Sequence, residues 1–522
     1  MKGKLLALLV AIAALLAVGA GRAAADNGGT QAAGQSATSA QSAKAASGAV
    51  QNQPSNSNVS VRVLSPGNNG SATQTNSVGS SANAGNSNAT GQSAGQTQAG
   101  DGGTQAAGQS AENAQSAQAL SLAAQSGASN KNVPVRVLSP GNDGSTTQTN
   151  SASSGATAGN TNGTSQGASQ TQAGSGCYCH GDDSGSQSVG QTASNEQSAG
   201  AASAAKQDNP SNQNVDVRVL SPGDNGSVTQ SNTVSSNASA GNRNATDQSS
   251  AQTQAGDRCG CDYGGGIQAT GQQASSSQEA GALSLAAQEG AKNSNTPVRV
   301  LSPGNDGSVT QTNSVDSSAS TGNSNATSQK ASQTQGGPGG SGIQALGQAA
   351  SSEQASLAAS AALQKGAKNS NTPVRVLSPG SGGSVTQSNA VSSGSSAGNS
   401  NSTSQAASQT QAGSDCGCGY GYGGIQASGQ QTDNAQESAA LSLAAQLEAA
   451  NWNAPVRVKS PDAAVLHEVG RCMCLAAPSD SSSVRQSNEV GSGSSAGNRN
   501  ETGQSAGQTQ GTIERKLMRI PY

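Results

Sequence analysis

Along TGNSNATSQKASQTQ, from Thr321 to Gln335, polar side chains recur at nearly every second residue from Asn323 onward, with Ala331 the one exception, and almost nothing apolar stands on either face. Strand side chains alternate faces with period two, whereas a helix repeats every 3.6 residues, so this spacing predicts a β-strand with one constrained face. The rest of the chain repeats the pattern. VRVLSPG begins at Val61, Val135, Val217, Val298 and Val374, and a degenerate VRVKSPD begins at Val456. A Gln opens each copy thirty residues earlier, and a QTQ starts thirty-five residues later in the first five copies. Across the six copies, in the numbering of the fourth, Gln311, Asn313, Ser317, Asn323, Asn325, Thr327, Gln329, Gln333 and Gln335 are identical. All are odd-numbered. Gly322 and Thr334 are the two identical positions on the other parity, where Asp316 and Lys330 also stand and where the third copy has Arg243.

The chain therefore divides into a leader, 1–25, repeats 31–98, 105–172, 187–254, 268–335 and 344–411, a degenerate repeat 426–510, and a tail, 511–522. The sixth copy carries a seventeen-residue insertion; otherwise each module holds 68 residues, and length changes are confined to Gly-rich linkers. Ser302-Pro303-Gly304-Asn305-Asp306-Gly307 has the chemistry of a tight reversal between short strands. The opening half of each module is ambiguous. Gln268, Gln272, Gln278 and Gln288 share one parity, as a strand requires, while ALSLAAQ contains good helix formers.

Composition sharpens the expectation. With no Phe, one Trp and much of the 31% hydrophobic fraction being Ala, an oily core cannot offset backbone ordering at ~1–2 kcal/mol per residue. Two outcomes remain: a largely disordered chain, or an all-β tandem-repeat β-solenoid or cross-β-like stack with flexible Gly-rich linkers. In the second, amides stacked ~4.8 Å apart bond to copies above and below. Gln311-x-Asn313 and Gly322-Asn323-x-Asn325-x-Thr327-x-Gln329 resemble the Gln/Asn-rich repeats of curlins, secreted subunits of bacterial curli fibres. That resemblance implies strand-turn-strand units, self-association into extracellular amyloid, and a place in adhesion or biofilm matrix.

Lys2 and Lys4, an apolar run from Leu5 and Ala23-Ala24-Ala25 before Asp26 read as a secretory signal, so the mature chain is expected outside the cell or at its surface, without a membrane segment. A net charge of −3 excludes a strongly basic nucleic-acid binder. All eight cysteines form C-x-C pairs: Cys177 with Cys179, Cys259 with Cys261, Cys416 with Cys418, and Cys472 with Cys474. For an exported chain they predict disulfides between linkers or molecules; the alternative is capture of Cu or Zn, with His180 next to one pair. The repeated Arg of VRV, as Arg299, reads as an outward strand charge or a contact to an acidic polymer. The N-x-T sites at Asn88, Asn162, Asn244, Asn325, Asn401 and Asn500 lie on the constrained face, where a glycan does not fit. No catalytic constellation accompanies the two His, and no cofactor motif is present, so a non-enzymatic structural role is expected, or else a monomeric module binding cell-surface polysaccharide.

Overall fold

The computed structural model describes residues 21–26, 29–99, 103–173, 185–255, 266–338, 342–414, 424–458 and 483–513. Among them every regular element is a β-strand, and every strand pairing is parallel. Each module winds once, forming one coil of a β-solenoid with six coils. The ambiguous opening half is a strand: Thr30–Asn52, Thr104–Ser126, Ser186–Asp208, Ile267–Glu289, Ile343–Lys365 and Ile425–Leu447 stack as one six-stranded sheet, here the short-strand sheet. Helix propensity spans only tenths of a kcal/mol per residue, and a stack that pairs the whole backbone overrides it.

The chain returns through Ala72–Ala99, Thr146–Ala173, Val228–Ala255, Val309–Pro338, Val385–Ser414 and Val484–Ile513, which form the long-strand sheet. At ~3.3 Å per residue these strands run for roughly 90 Å, against a stack only six coils deep. The register is unbroken: Asn232 pairs with Asn313, Gln248 with Gln329 and Gln254 with Gln335. A third sheet of short segments, including the VRV strands Val217–Val219, Val298–Val300 and Val374–Val376, closes one end. All linkers leave from the other end.

Between the two main sheets lies a thin apolar seam. Facing alanines such as Ala117, Ala199, Ala238 and Ala358 form its centre, and Val234, Val315 and Val391 continue it. Small side chains let the sheets approach closely enough for amides on one to reach main-chain carbonyls on the other.

The SPG turn adds a backbone constraint. Gly304 has φ +138°, a Cβ there would meet Gly223 O at 2.2 Å, and Gly223 makes the same approach to Gly141. Turns stacked at one strand spacing leave no room for a side chain in this conformation. Gly304→Ala is expected to lower unfolding stability by at least about 1–3 kcal/mol, the usual cost of a strained backbone conformation, read from urea denaturation followed by circular dichroism.

Candidate functional site: amide ladders and their open ends

The eight residues singled out in the fourth copy, Gln311, Asn313, Asn323, Asn325, Thr327, Gln329, Gln333 and Gln335, all lie buried between the sheets. Gln329 shows the geometry. Its Nε2 donates to Gln248 Oε1 of the preceding coil at 2.8 Å and to the Ala349 carbonyl of the opposing sheet at 2.9 Å. Its Oε1 accepts from Gln405 Nε2 at 2.8 Å. Gln311 and Gln333 repeat the arrangement, reaching the Ser370 and Ala345 carbonyls at 2.9 Å. Gln335 donates to Gln254 Oε1 at 3.3 Å and to the Gly266 carbonyl at 3.2 Å. Each carboxamide thus uses both N–H groups, one along the stack and one across it.

Asparagines run the other way. Asn313 Nδ2 donates forward to Asn389 Oδ1 at 2.9 Å, Asn323 to Asn399 at 3.0 Å and Asn325 to Asn401 at 2.8 Å. Asn325 also reaches Thr327 Oγ1 at 3.3 Å, so this threonine serves as an acceptor within the ladder. Glutamine ladders therefore donate toward coil 1 and asparagine ladders toward coil 6. The asparagines of the N-x-T sites are ladder members; Asn162, Asn244, Asn325 and Asn401 are buried.

Arg299 corrects both expectations made for it. Arg136, Arg218 and Arg299 are fully buried and Arg375 nearly so, so this side chain neither faces water nor meets an outside polymer. Asp143 takes Arg136 Nε at 2.7 Å and also pairs with Arg218 of the next coil. Asp306 takes Arg299 Nε at 2.8 Å and Arg375 Nε at 2.9 Å. One carboxylate therefore joins two coils, and around Arg299 carbonyls take further N–H groups: Nη1 reaches Gly223 O at 2.8 Å and Nη2 reaches Asn305 O at 2.7 Å, whereas Arg218 Nε is buried without a partner. Burial pushes the Arg299 pKa below its usual value, and the Asp306 carboxylate opposes that shift. A sequence signal for the pairing exists: in the second and fourth copies an Asp follows the Arg by seven residues across the turn.

Beside this network Asp216 is 4% exposed, and its Oδ1 lacks a hydrogen-bond partner. Burial first, and then the charge of Asp143, raise its pKa from 3.8 to about 7, against the pull of Arg218 and Arg299.

The cysteine pairs expected to form disulfides or to hold Cu or Zn fall elsewhere. Cys177 and Cys179, with the neighbouring His180, lie outside the described residues, as do Cys259 and Cys261, Cys416 and Cys418, and Cys472 and Cys474. The flanks of the linkers stack at one end of the solenoid, while Val458 and Ser483, which bracket the sixth-copy insertion, lie at the opposite, VRV end. Thr334 belongs to an outward row with a Thr in every coil, continuing through Thr253 and Thr410. No protein-family model, curated protein or solved structure matches this chain.

Removing the Asp306 carboxylate leaves two guanidinium groups buried without their counter-charge. Asp306→Ala is expected to cost about 3–5 kcal/mol of stability by chemical denaturation, far more than the loss of a surface ion pair. Asp216 predicts a pH dependence. A carboxyl whose pKa is higher folded than unfolded contributes stability that is fully present below pH 3.8 and lost as pH rises through about 7. Asp216→Asn is expected to flatten that part of a melting-temperature profile against pH.

Proposed function

We propose that this is a secreted, non-enzymatic structural protein that joins end to end into a polar β-fibre of a surface layer or matrix, in the manner of curlins. One observation carries this reading: the directions of the ladders. At the coil-6 end, glutamines such as Gln504 and Gln508 have spent one N–H on coil 5, and their Oε1 atoms have no further coil to accept from. Asn488 and Asn500 there accept from Asn389 and Asn401, so their own Nδ2 groups are the next donors in line. At the coil-1 end the roles reverse. Gln92 and Gln96 accept from Gln166 and Gln170, and Asn86 and Asn88 donate to Asn160 and Asn162.

A second copy laid head to tail would therefore pair donor with acceptor along every ladder, with the same residue types that already pair inside the chain. Head to head, Oε1 would meet Oε1 and Nδ2 would meet Nδ2. Heterologous contacts of this kind do not close, and they produce filaments. Unpaired strand edges supply the accompanying backbone bonds. Gly21–Asp26 pairs with Ala94–Ala99 on the coil-1 edge, and cleavage of the leader before Asp26 would remove five of those six residues.

A second reading is a monomeric extracellular module that presents its outward Ser/Thr surface to polysaccharide; the in-register Thr334 row favours it. The two differ in concentration dependence. Chain lacking residues 1–25 is expected to form filaments with a meridional reflection at ~4.8 Å along the fibre axis. Asn488→Asp and Asn500→Asp, placed together at the coil-6 edge, keep the oxygens that accept from Asn389 and Asn401 but replace the outward Nδ2 donors, and are expected to stop elongation while leaving the circular dichroism spectrum unchanged. A chain that stays monomeric at all concentrations would remove the fibre reading.

A further inference from the structure

We propose that the outer face of the short-strand sheet is a self-complementary surface on which a second copy of this chain docks in the antiparallel sense. The inference goes beyond end-to-end joining and does not depend on it. Two neighbouring outward rows run up the six coils. The first reads Ala46, Leu120, Ala202, Leu283, Ala359, Leu441 and the second Gly48, Leu122, Ala204, Leu285, Ala361, Leu443. Coils 2, 4 and 6 carry leucine in both rows; coils 1, 3 and 5 carry alanine or glycine. The six leucines keep between 42% and 66% of their surface exposed; leucines at the VRV turns, such as Leu138 and Leu301, are exposed as well, but there coils 1 to 5 all carry the same residue, whereas on this face large and small alternate in two adjacent rows. Their removal from water is the interaction this surface lacks.

A two-fold axis parallel to the strands, halfway up the stack, sets coil 1 against coil 6, coil 2 against coil 5 and coil 3 against coil 4. Strand direction is preserved, so each row faces itself. Leu120 then meets Ala359, Leu283 meets Ala202 and Leu441 meets Ala46; in the second row Leu122 meets Ala361, Leu285 meets Ala204 and Leu443 meets Gly48. Every large side chain faces a small one. The next row sets Leu363 against Ala124, Val50 against Ala445 and Lys206 against Ala287, while the Lys44 row on the other side sets Lys44 against Ala439 and Gln118 against Leu357. Parallel docking in the same register would set leucine against leucine. Interdigitation of large with small side chains is what close packing between two sheet faces needs. Four outward rows ~7 Å apart, from the Lys44 row to the Val50 row, across six coils ~4.8 Å apart, cover roughly 800 Å² per partner, which is the size of a standard stable interface.

The test compares knobs with holes in the full chain lacking residues 1–25. Sedimentation is expected to show antiparallel dimers, or electron microscopy paired filaments where ends have also joined. Leu283→Ser with Leu285→Ser, at exposed positions, is expected to weaken pairing at least tenfold. Ala202→Leu with Ala359→Leu is also expected to abolish pairing, because it fills the holes although it makes the face more apolar. Stronger pairing in the alanine-to-leucine variant would overturn the proposal in favour of unspecific apolar adhesion. So would wild-type chains, or wild-type filaments, that stay single. Dimers that persist when filaments do not form would sink the fibre reading above and leave this one standing.

Discussion

A buried carboxamide carries two N–H donors and an acceptor oxygen, and an amide left unpaired in a dry interior costs several kcal/mol. Here that requirement governs the whole molecule. The partner each ladder amide has in the structure is an identical amide one strand spacing away, together with a carbonyl across a narrow gap. Gln329, held between Gln248 and Gln405 and bonded to Ala349, meets all its needs this way. Identical neighbours in turn demand parallel, in-register strands, and register demands modules of constant length. An inserted residue inside a strand would move every later amide to the wrong face. Insertions are tolerated where the chain leaves the stack, at the linkers and at the sixth-copy turn.

The end sheet solves a different problem with the same geometry. Arginines stacked one strand apart repel one another, and each Asp placed between two of them offsets both. Asp143 and Asp306 stand in the second and fourth coils, with Asn225 between them, so carboxylates are spaced two coils apart. Asp216 is the departure from this order, a carboxyl in an interior whose other charges are already paired. The outer face of the short-strand sheet shows the same two-coil period, leucine alternating with alanine. A head-to-tail fibre continues that period across the junction, since coil 6 carries leucine and coil 1 alanine or glycine.

In the fibre reading proposed above, function lies in surfaces that a chain of repeated coils cannot finish by itself. Coil 1 and coil 6 each expose half of every ladder, and the two halves match each other rather than themselves. At the VRV end Asp216, Asp306, Arg375 and Arg457 line a cavity of about 340 Å³, and there Asp306 is held in ion pairs with Arg299 and Arg375.

Much of this was legible in the residues. Period-two identity among the six copies marked Gln311, Asn313 and Gln329 as facing inward, because a fixed polar residue beside a drifting neighbour signals a contact on one side only. Constant module length likewise pointed to stacked coils. Other features had no local signature. ALSLAAQ is a strand because neighbouring coils pair with it, which outweighs its helix propensity. Arg299 looked like a surface charge, since alternation tells which residues share a face but not what covers that face; only the folding of the SPG turn over the VRV strand encloses it. The directions of the ladders and the leucine rows depend on which coil lies above which. Sequence determined the period and the face of each strand, because both follow from covalent geometry; tertiary structure decided enclosure and polarity, because both depend on residues 74 to 99 positions apart coming to lie one strand spacing from each other.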